Sequence, residues 1–266
     1  VVGDPHQQIY QFRHATNAMA GAGVWQELAL TGSFRFGAEI AAAANRLLRV
    51  KGESRQVRGL REGPAQGSGA FVSRGNAALF LEAVRLLERG QPLHWCGGIE
   101  GYRHELLLDL WFLQRGERQQ VRDSFVAAFR SYGELSAYAE EQNARDLKAW
   151  CQLLEWRVSA VSIQQIPELV AALRRSAVEP GDGVLSLATV HKSKGLEFSV
   201  VELAQDFPEH GLVSAPLQEV DGVPCDPQRT KVLWDPQGFR GAVVLPEEEL
   251  NLRYVAVTRA MATCHS

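Results

Sequence analysis

Four separated stretches of this 266-residue sequence carry polar and charged side chains where a buried strand or helix would otherwise run on. The first is Gly3-Asp4-Pro5-His6-Gln7-Gln8-Ile9-Tyr10-Gln11-Phe12-Arg13-His14-Ala15. Its turn residues close the apolar pair Val1-Val2, which reads as a strand end, and paired glutamines then precede an aromatic beside an arginine. Past a strand end, α/β proteins place ligand-binding groups on such a loop; the alternative reading is a plain loop leading to an amphipathic helix. The second stretch, Leu30 to Ile40, sets Arg35 between Phe34 and Phe36 at the entrance to a helix. An arginine there can meet an anion while Phe34 stacks on a base, or it simply covers a packed aromatic pair. In the third, Leu187 to Phe198, two apolar runs are joined by His191, Lys192, Lys194 and Gly195. The fourth, Glu248 to Ala260, lies in a segment that patterns as a helix from Glu247 to Ala260, with Leu250, Tyr254 and Val257 on one face and Arg259 near its end.

The elements that must position these groups alternate. Apolar spacing predicts a helix over Ala38–Val50, a strand over Ala70–Ser73, a helix over Asn76–Glu88, a strand over Leu93–Cys96 and a buried helix over Leu106–Leu113. That order favours an α/β sheet. Lys51 to Gly69 reads as a linker or exposed loop. From Val121 to Ser176 only helical spacing appears, with Phe125, Phe129, Tyr132, Leu135, Trp150 and Leu154 expected as core, and Glu179 to Gly183 closes this insert with turn residues. Strands follow at Val184–Val190 and Phe198–Leu203; Asp206 to Gly241, with five prolines, reads as loop.

Composition is that of a soluble globular protein, 45% hydrophobic and 22% charged, and a net charge of −3 gives no global signature of a nucleic-acid binder. A basic groove remains open, because binding depends on where charge sits. Four widely spaced cysteines form no CxxC pair, which argues against a zinc site or disulfide framework and fits a reducing compartment. No apolar run approaches the ~20 residues that span a bilayer, so no membrane partner is expected.

Together and in order, the four stretches resemble the superfamily 1 DNA helicases of the UvrD/Rep type. Gly3 to Arg13 looks like that family's motif III, Ser33-Phe34-Arg35 like motif IV, Thr189 to Phe198 like motif V and Tyr254-Val255-Ala256-Val257-Thr258-Arg259-Ala260 like motif VI. Asp4 to Tyr10, Ser33 to Gly37 and the compact helical insert are similar to the F-box DNA helicase branch, although no F-box is visible. The resemblance implies an α/β fold: the second RecA-like lobe of a P-loop NTPase motor, a parallel sheet flanked by helices, with a small helical insert and a short remnant of the first lobe. The expected boundaries are 1–22 for that remnant, 23–120 and 181–266 for the second lobe, and 121–180 for the insert.

By the same resemblance, Gln7 senses the γ-phosphate of ATP, Phe34 stacks on adenine, and Arg35 and Arg259 reach the γ-phosphate. Glu197 meets the nucleotide sugar and Gly195 permits close backbone approach. Tyr10, Phe12, Arg13, Thr189, His191 and Lys194 fall on the single-stranded DNA side, and Glu248 and Glu249 orient the motif VI helix. Phe12 stands where relatives often have Trp, and His14 where they often have Gly. Two arginines on the transferred phosphoryl group stabilise charge as it builds.

Such a motor also needs a GxxxxGK[ST] loop and an Asp-Glu strand end for magnesium, and neither occurs in these 266 residues. In relatives both precede motif III, so the expectation is a C-terminal piece, inactive alone, of an intracellular ATP- and Mg2+-dependent 3′–5′ helicase. Its expected partners are the first lobe, single-stranded DNA and duplex junctions, its setting repair or recombination, and its compartment the cytoplasm of a bacterium or the nucleus of a eukaryote. The rival readings are a non-catalytic DNA- or protein-binding relative and part of a RecB/AddA-type helicase–nuclease.

Overall fold

A computed structural model describes residues 2–10, 23, 28–160, 166–207 and 244–265, with short strand pieces at 219–220, 223–224 and 230–232. Along the chain lie strands β1 (Gly32–Ser33), β2 (Arg58–Gly59), β3 (Ala70–Ser73), β4 (Leu93–Trp95), β5 (Leu185–Thr189) and β6 (Phe198–Leu203). The helices are α1 (Ala38–Val50), α2 (Asn76–Glu88), α3 (His104–Gln114), α4 (Ser124–Ala127), α5 (Tyr132–Glu141), α6 (Arg145–Ala160), α7 (Ile166–Arg175), α8 (Val190–Ser193) and α9 (Glu247–Val257), and a further strand covers Ala260–His265. The chain divides into two compact units, Val1–Arg74 with Val190–Ser266, and Gly75–Thr189. The fold is α/β, with parallel strands flanked by helices.

In the first unit β6 lies between β3 and the strand Ala260–His265, parallel to both, with Ala70 opposite Val201 and Ala260 opposite Phe198. All four residues of β3 are buried, as a parallel strand covered on both faces requires. Helix α1 packs on α9 and on the strand Ala260–His265. Its apolar face is Ile40, Ala44 and Leu48 at helical spacing, all at most 3% exposed. Each large side chain so buried contributes about 1.5–3 kcal/mol. The entrance to α1 is fixed by glycines: β2 pairs with β1, and a β-carbon on Gly59 would lie 2.1 Å from the Gly37 carbonyl oxygen.

In the second unit β4 and β5 pair in parallel, Leu93 opposite Leu185, and helices α2, α3, α6 and α7 pack around them. Phe80 meets Trp95 and Trp150, and Tyr102 meets Trp95, with centroids 5.1–5.3 Å apart. The Tyr102 hydroxyl donates to the carbonyls of Cys96 (2.6 Å) and Leu187 (3.1 Å), and burial pushes its pKa above the usual phenol range. The buried Asp109 carboxylate accepts the amides of Arg122 and Asp123 (3.0 and 2.9 Å), which holds the turn into α4.

Several expectations need correction. Val2 is 89% exposed and lies in no strand. Val190 does not finish β5 but opens α8, so the charged junction is a helical turn rather than a loop. The last helix stops at Val257, and Ala260 begins a strand. The cause is local: the Thr258 hydroxyl and Arg259 Nε both donate to the Val255 carbonyl while the Arg259 amide turns to Ala256 (3.2 Å), so side chains take the acceptor that a further turn would use. Lys51, expected to start an exposed loop, is only 5% exposed. Phe125, expected in the core, is 45% exposed and packs on Phe129 and Tyr138 at the surface, whereas Leu135, Trp150 and Leu154 are buried.

Candidate functional site

The site is built in the first unit, on the loop 4–10. Asp4 caps the 3-10 turn Pro5–Gln7: one carboxylate oxygen accepts the His6 amide (2.9 Å), the other the Gln7 side-chain amide (2.8 Å). With its nitrogen committed to Asp4, Gln7 keeps its amide oxygen as an acceptor, suited to orienting a water.

Two side chains from elsewhere pin the residues flanking Gln7. The Lys51 ammonium donates to His6 Nδ1 (2.7 Å) and to Asn251 Oδ1, and Asn251 Nδ2 donates to the Gln8 carbonyl (2.8 Å). Since Nδ1 accepts, Nε2 carries the proton and donates to Glu53 (3.3 Å). Burial, then the Lys51 charge, lowers the His6 pKa and keeps the ring neutral.

Helix α8 holds the other end of the same loop. His191 Nε2 donates to the Ile9 carbonyl (2.9 Å), the Tyr10 hydroxyl to the His191 carbonyl (3.3 Å) and Lys194 Nζ to the Gln7 carbonyl (2.9 Å). Lys194 also sits 5.3 Å from the centre of the Tyr10 ring. Three residues expected on the DNA side, Tyr10, His191 and Lys194, thus fasten the loop to the turn.

Beyond α8 the chain reverses through Gly195, whose φ of +94° is costly for any other residue. Among the described residues, chain neighbours aside, no atom lies within 4 Å of an added β-carbon there, so the backbone angle is what requires glycine. The reversal delivers Glu197, which accepts from Arg35 Nε at 2.7 Å. With side chains 28% and 45% exposed this pair is worth about 0–1 kcal/mol, weak enough for a competing anion to take Arg35.

Arg259 is 1% exposed and donates to the carbonyls of Val255 (3.0 Å) and Leu196 (3.3 Å). Burial, then the nearby Arg35 charge, pulls its pKa down to about 10, and Glu197 opposes the shift; it stays a cation at neutral pH. The helix that precedes it, α9, is anchored by Arg74, which grips Glu249 with Nε and Nη2 (2.9 and 2.7 Å) while its amide donates to Asp206 (3.0 Å).

A cavity of about 150 Å³ is lined by Asp4, Gln7, Arg35 and Tyr254 together with the apolar Leu30, Phe36 and Val57; Glu197 and Arg259 are not among its lining residues. Tyr254, Lys51 and Asn251 were not foreseen as site residues; Tyr254 fell on an apolar helical face. Phe34 is 79% exposed, its ring open to solvent. Thr189 belongs to the second unit and is buried, 7% exposed, at the end of β5. Phe12 and Arg13 lie outside the described residues.

Residues 114–263, more than half of the chain, match the UvrD-like helicase C-terminal domain. The chain belongs to that family. It is 35% identical over 279 aligned positions to F-box DNA helicase 1 of Gallus gallus, covering 98% of this chain and 25% of that protein. It is 29% identical over 289 positions to F-box DNA helicase protein 1 of Schizosaccharomyces pombe, with 98% and 30% covered. This UvrD-like chain thus spans less than a third of the curated relatives it matches. Among its described residues no helix is long and apolar enough to cross a membrane.

Proposed function

We propose that this chain is the C-terminal motor portion of an ATP-dependent DNA helicase that moves 3′ to 5′ on single-stranded DNA and opens duplex junctions in repair or recombination. The observation that carries the reading is that Gln7 and Arg35 line one cavity, with Glu197 bonded to Arg35 and the Arg259 cation close by. A triphosphate draws Arg35 away from Glu197, leaving the carboxylate free for the sugar hydroxyls. Gln7 presents its amide oxygen to the attacking water, and two guanidinium groups stabilise the phosphoryl charge in the transition state.

Tyr10, His191 and Lys194 tie the loop carrying Gln7 to the turn before Glu197, so movement at the phosphate is transmitted to the residues that follow, including Phe12 and Arg13 on the DNA side. The chain's own site does not fit magnesium: Asp4 is committed to the His6 and Gln7 N–H groups, and the one carboxylate that a triphosphate would free, Glu197, is taken up by the sugar. Among the described residues the one three-ligand group, Glu100, His104 and Glu105, is in the second unit with the Arg174 guanidinium against it. The phosphate cradle and the magnesium ligands come, on this reading, from a first RecA-like lobe, and the 266 residues alone neither bind ATP tightly nor hydrolyse it.

The test is Arg35→Ala in the complete helicase. The lost pair is weak, so folding is kept, while DNA-stimulated ATP hydrolysis falls by roughly 100-fold or more. Undiminished turnover would remove Arg35 from the chemistry and the reading with it.

A further inference from the structure

Within the cavity one polar group has no assigned work. Tyr254 is 5% exposed, and its ring is held by packing on Ala44 and Leu48 and by an edge contact with His6 at 6.0 Å. Its hydroxyl, by contrast, has no hydrogen-bond partner among the described residues, and the side chain lines the cavity beside Gln7 and Arg35. The oxygen itself is not among the buried partnerless side-chain atoms, so the ring is core while the hydroxyl is left open to the cavity. The charges that act on it are the Asp4 carboxylate and the guanidinium groups of Arg35 and Arg259. Asp4, the strongest of these charges on the hydroxyl, keeps its negative charge but has one carboxylate oxygen engaged by the His6 amide and the other by the Gln7 side chain, while Arg35, which lines the same cavity, is held only by its exposed pair with Glu197. An anion that takes Arg35 from Glu197 brings its acceptor oxygens into the cavity that the hydroxyl faces. Burial, then the Asp4 charge, raises the Tyr254 pKa to about 12, so the hydroxyl keeps its proton at neutral pH and can donate it in a hydrogen bond.

We propose that Tyr254 is a nucleotide-binding residue whose hydroxyl donates a hydrogen bond to a phosphate oxygen of the ligand held by Arg35. The assignment rests on the nucleotide reading above and extends it to a residue whose ring is core and whose oxygen is site. Packing of the ring on α1 and against His6 fixes the oxygen without a partner of its own, so the ligand meets a preformed donor. The proposal also accounts for a tyrosine where packing alone would accept phenylalanine.

The experiment compares wild type with Tyr254→Phe in the complete helicase. It reads kcat and KM for ATP, inhibition constants for inorganic tripolyphosphate and for adenosine, and the melting temperature. The expected result is a loss of about 10–100-fold in kcat/KM, the size of one hydrogen bond to a charged group, with melting unchanged. Tripolyphosphate inhibition weakens in step and adenosine inhibition stays as it was. Wild-type kinetics in the variant would overturn the proposal. So would a loss confined to adenosine, which would move the contact to the nucleoside, or a loss that tracks a lowered melting temperature, which would make the hydroxyl structural. A wild-type protein with no DNA-stimulated ATPase would bring down the nucleotide reading itself, and the proposal with it.

Discussion

Replacing Lys51 with methionine should show how firmly the loop carrying Gln7 is held. Methionine keeps an apolar stem of similar length and removes only the ammonium group. That group is buried and donates to His6 and to Asn251, each the side chain of a distant segment. Hydrogen bonds from a charged donor contribute about 1.5–3 kcal/mol each, and leaving both acceptors unsatisfied adds to the loss. Relief of the buried cation's desolvation offsets part of this, so the expected net cost is about 2–4 kcal/mol. Denaturant unfolding at pH 7.5 reads that number directly.

The pH dependence supplies a second, independent check. The folded His6 pKa is lowered, by burial first and by Lys51 second, with Asp4 and Glu53 opposing. The neutral ring therefore contributes stability that is present above the unfolded value of 6.5 and lost as pH falls from there towards the lowered folded pKa. Without the Lys51 charge the folded pKa moves back up, so the variant loses less on acidification. The difference between wild type and Lys51→Met should be largest at pH 7.5 and narrow by pH 5.5. A variant within about 0.5 kcal/mol of wild type, with the same slope between those pH values, would refute the pinning argument.

Two further substitutions address the frame around the site. Gly59→Ala drives a methyl group into the Gly37 carbonyl at the mouth of α1, so a cost of about 1–3 kcal/mol or more is expected in thermal or denaturant unfolding, with altered NMR shifts at Ser33 to Gly37. Glu249→Gln breaks the Arg74 pair while leaving the shape intact; a loss of about 3 kcal/mol is expected, and converting both Arg74 and Glu249 to apolar residues of similar size should recover much of it, which a double-mutant cycle would measure.

What was legible in the sequence was local. Helices α1 and α2 begin and end where their apolar spacing and flanking glycines place them, because both signals sit within a few residues. Motif order led to the expectation that Gln7, Arg35, Glu197 and Arg259 face one cleft; Gln7 and Arg35 line the cavity, Glu197 accepts from Arg35, and Arg259 is buried on the Val255 and Leu196 carbonyls. What was not legible depends on residues far apart. Nothing near Lys51 announces burial; Asn251, 200 positions away, supplies one acceptor and His6 the other. The strand Ala260–His265 has little alternation of its own and exists because β6 offers an edge. Tyr254 reads as core by spacing, and only the cavity beside it shows that its two ends do different work.

The loop 4–10 has a consequence for how this chain is made. Its ties are to Lys51, to His191 and Lys194, and to Asn251, so one fastening closes a circuit of 243 positions, from Gln8 to Asn251. A ribosome adding about 5–20 residues per second needs roughly 12–50 s between the first of these residues and the last. During that interval the loop and its Gln7 have emerged but lack the surface they dock on. Setting the glutamine is therefore a late event of biosynthesis, and the buried face of Ile9 is a natural place for a chaperone to bind while synthesis continues.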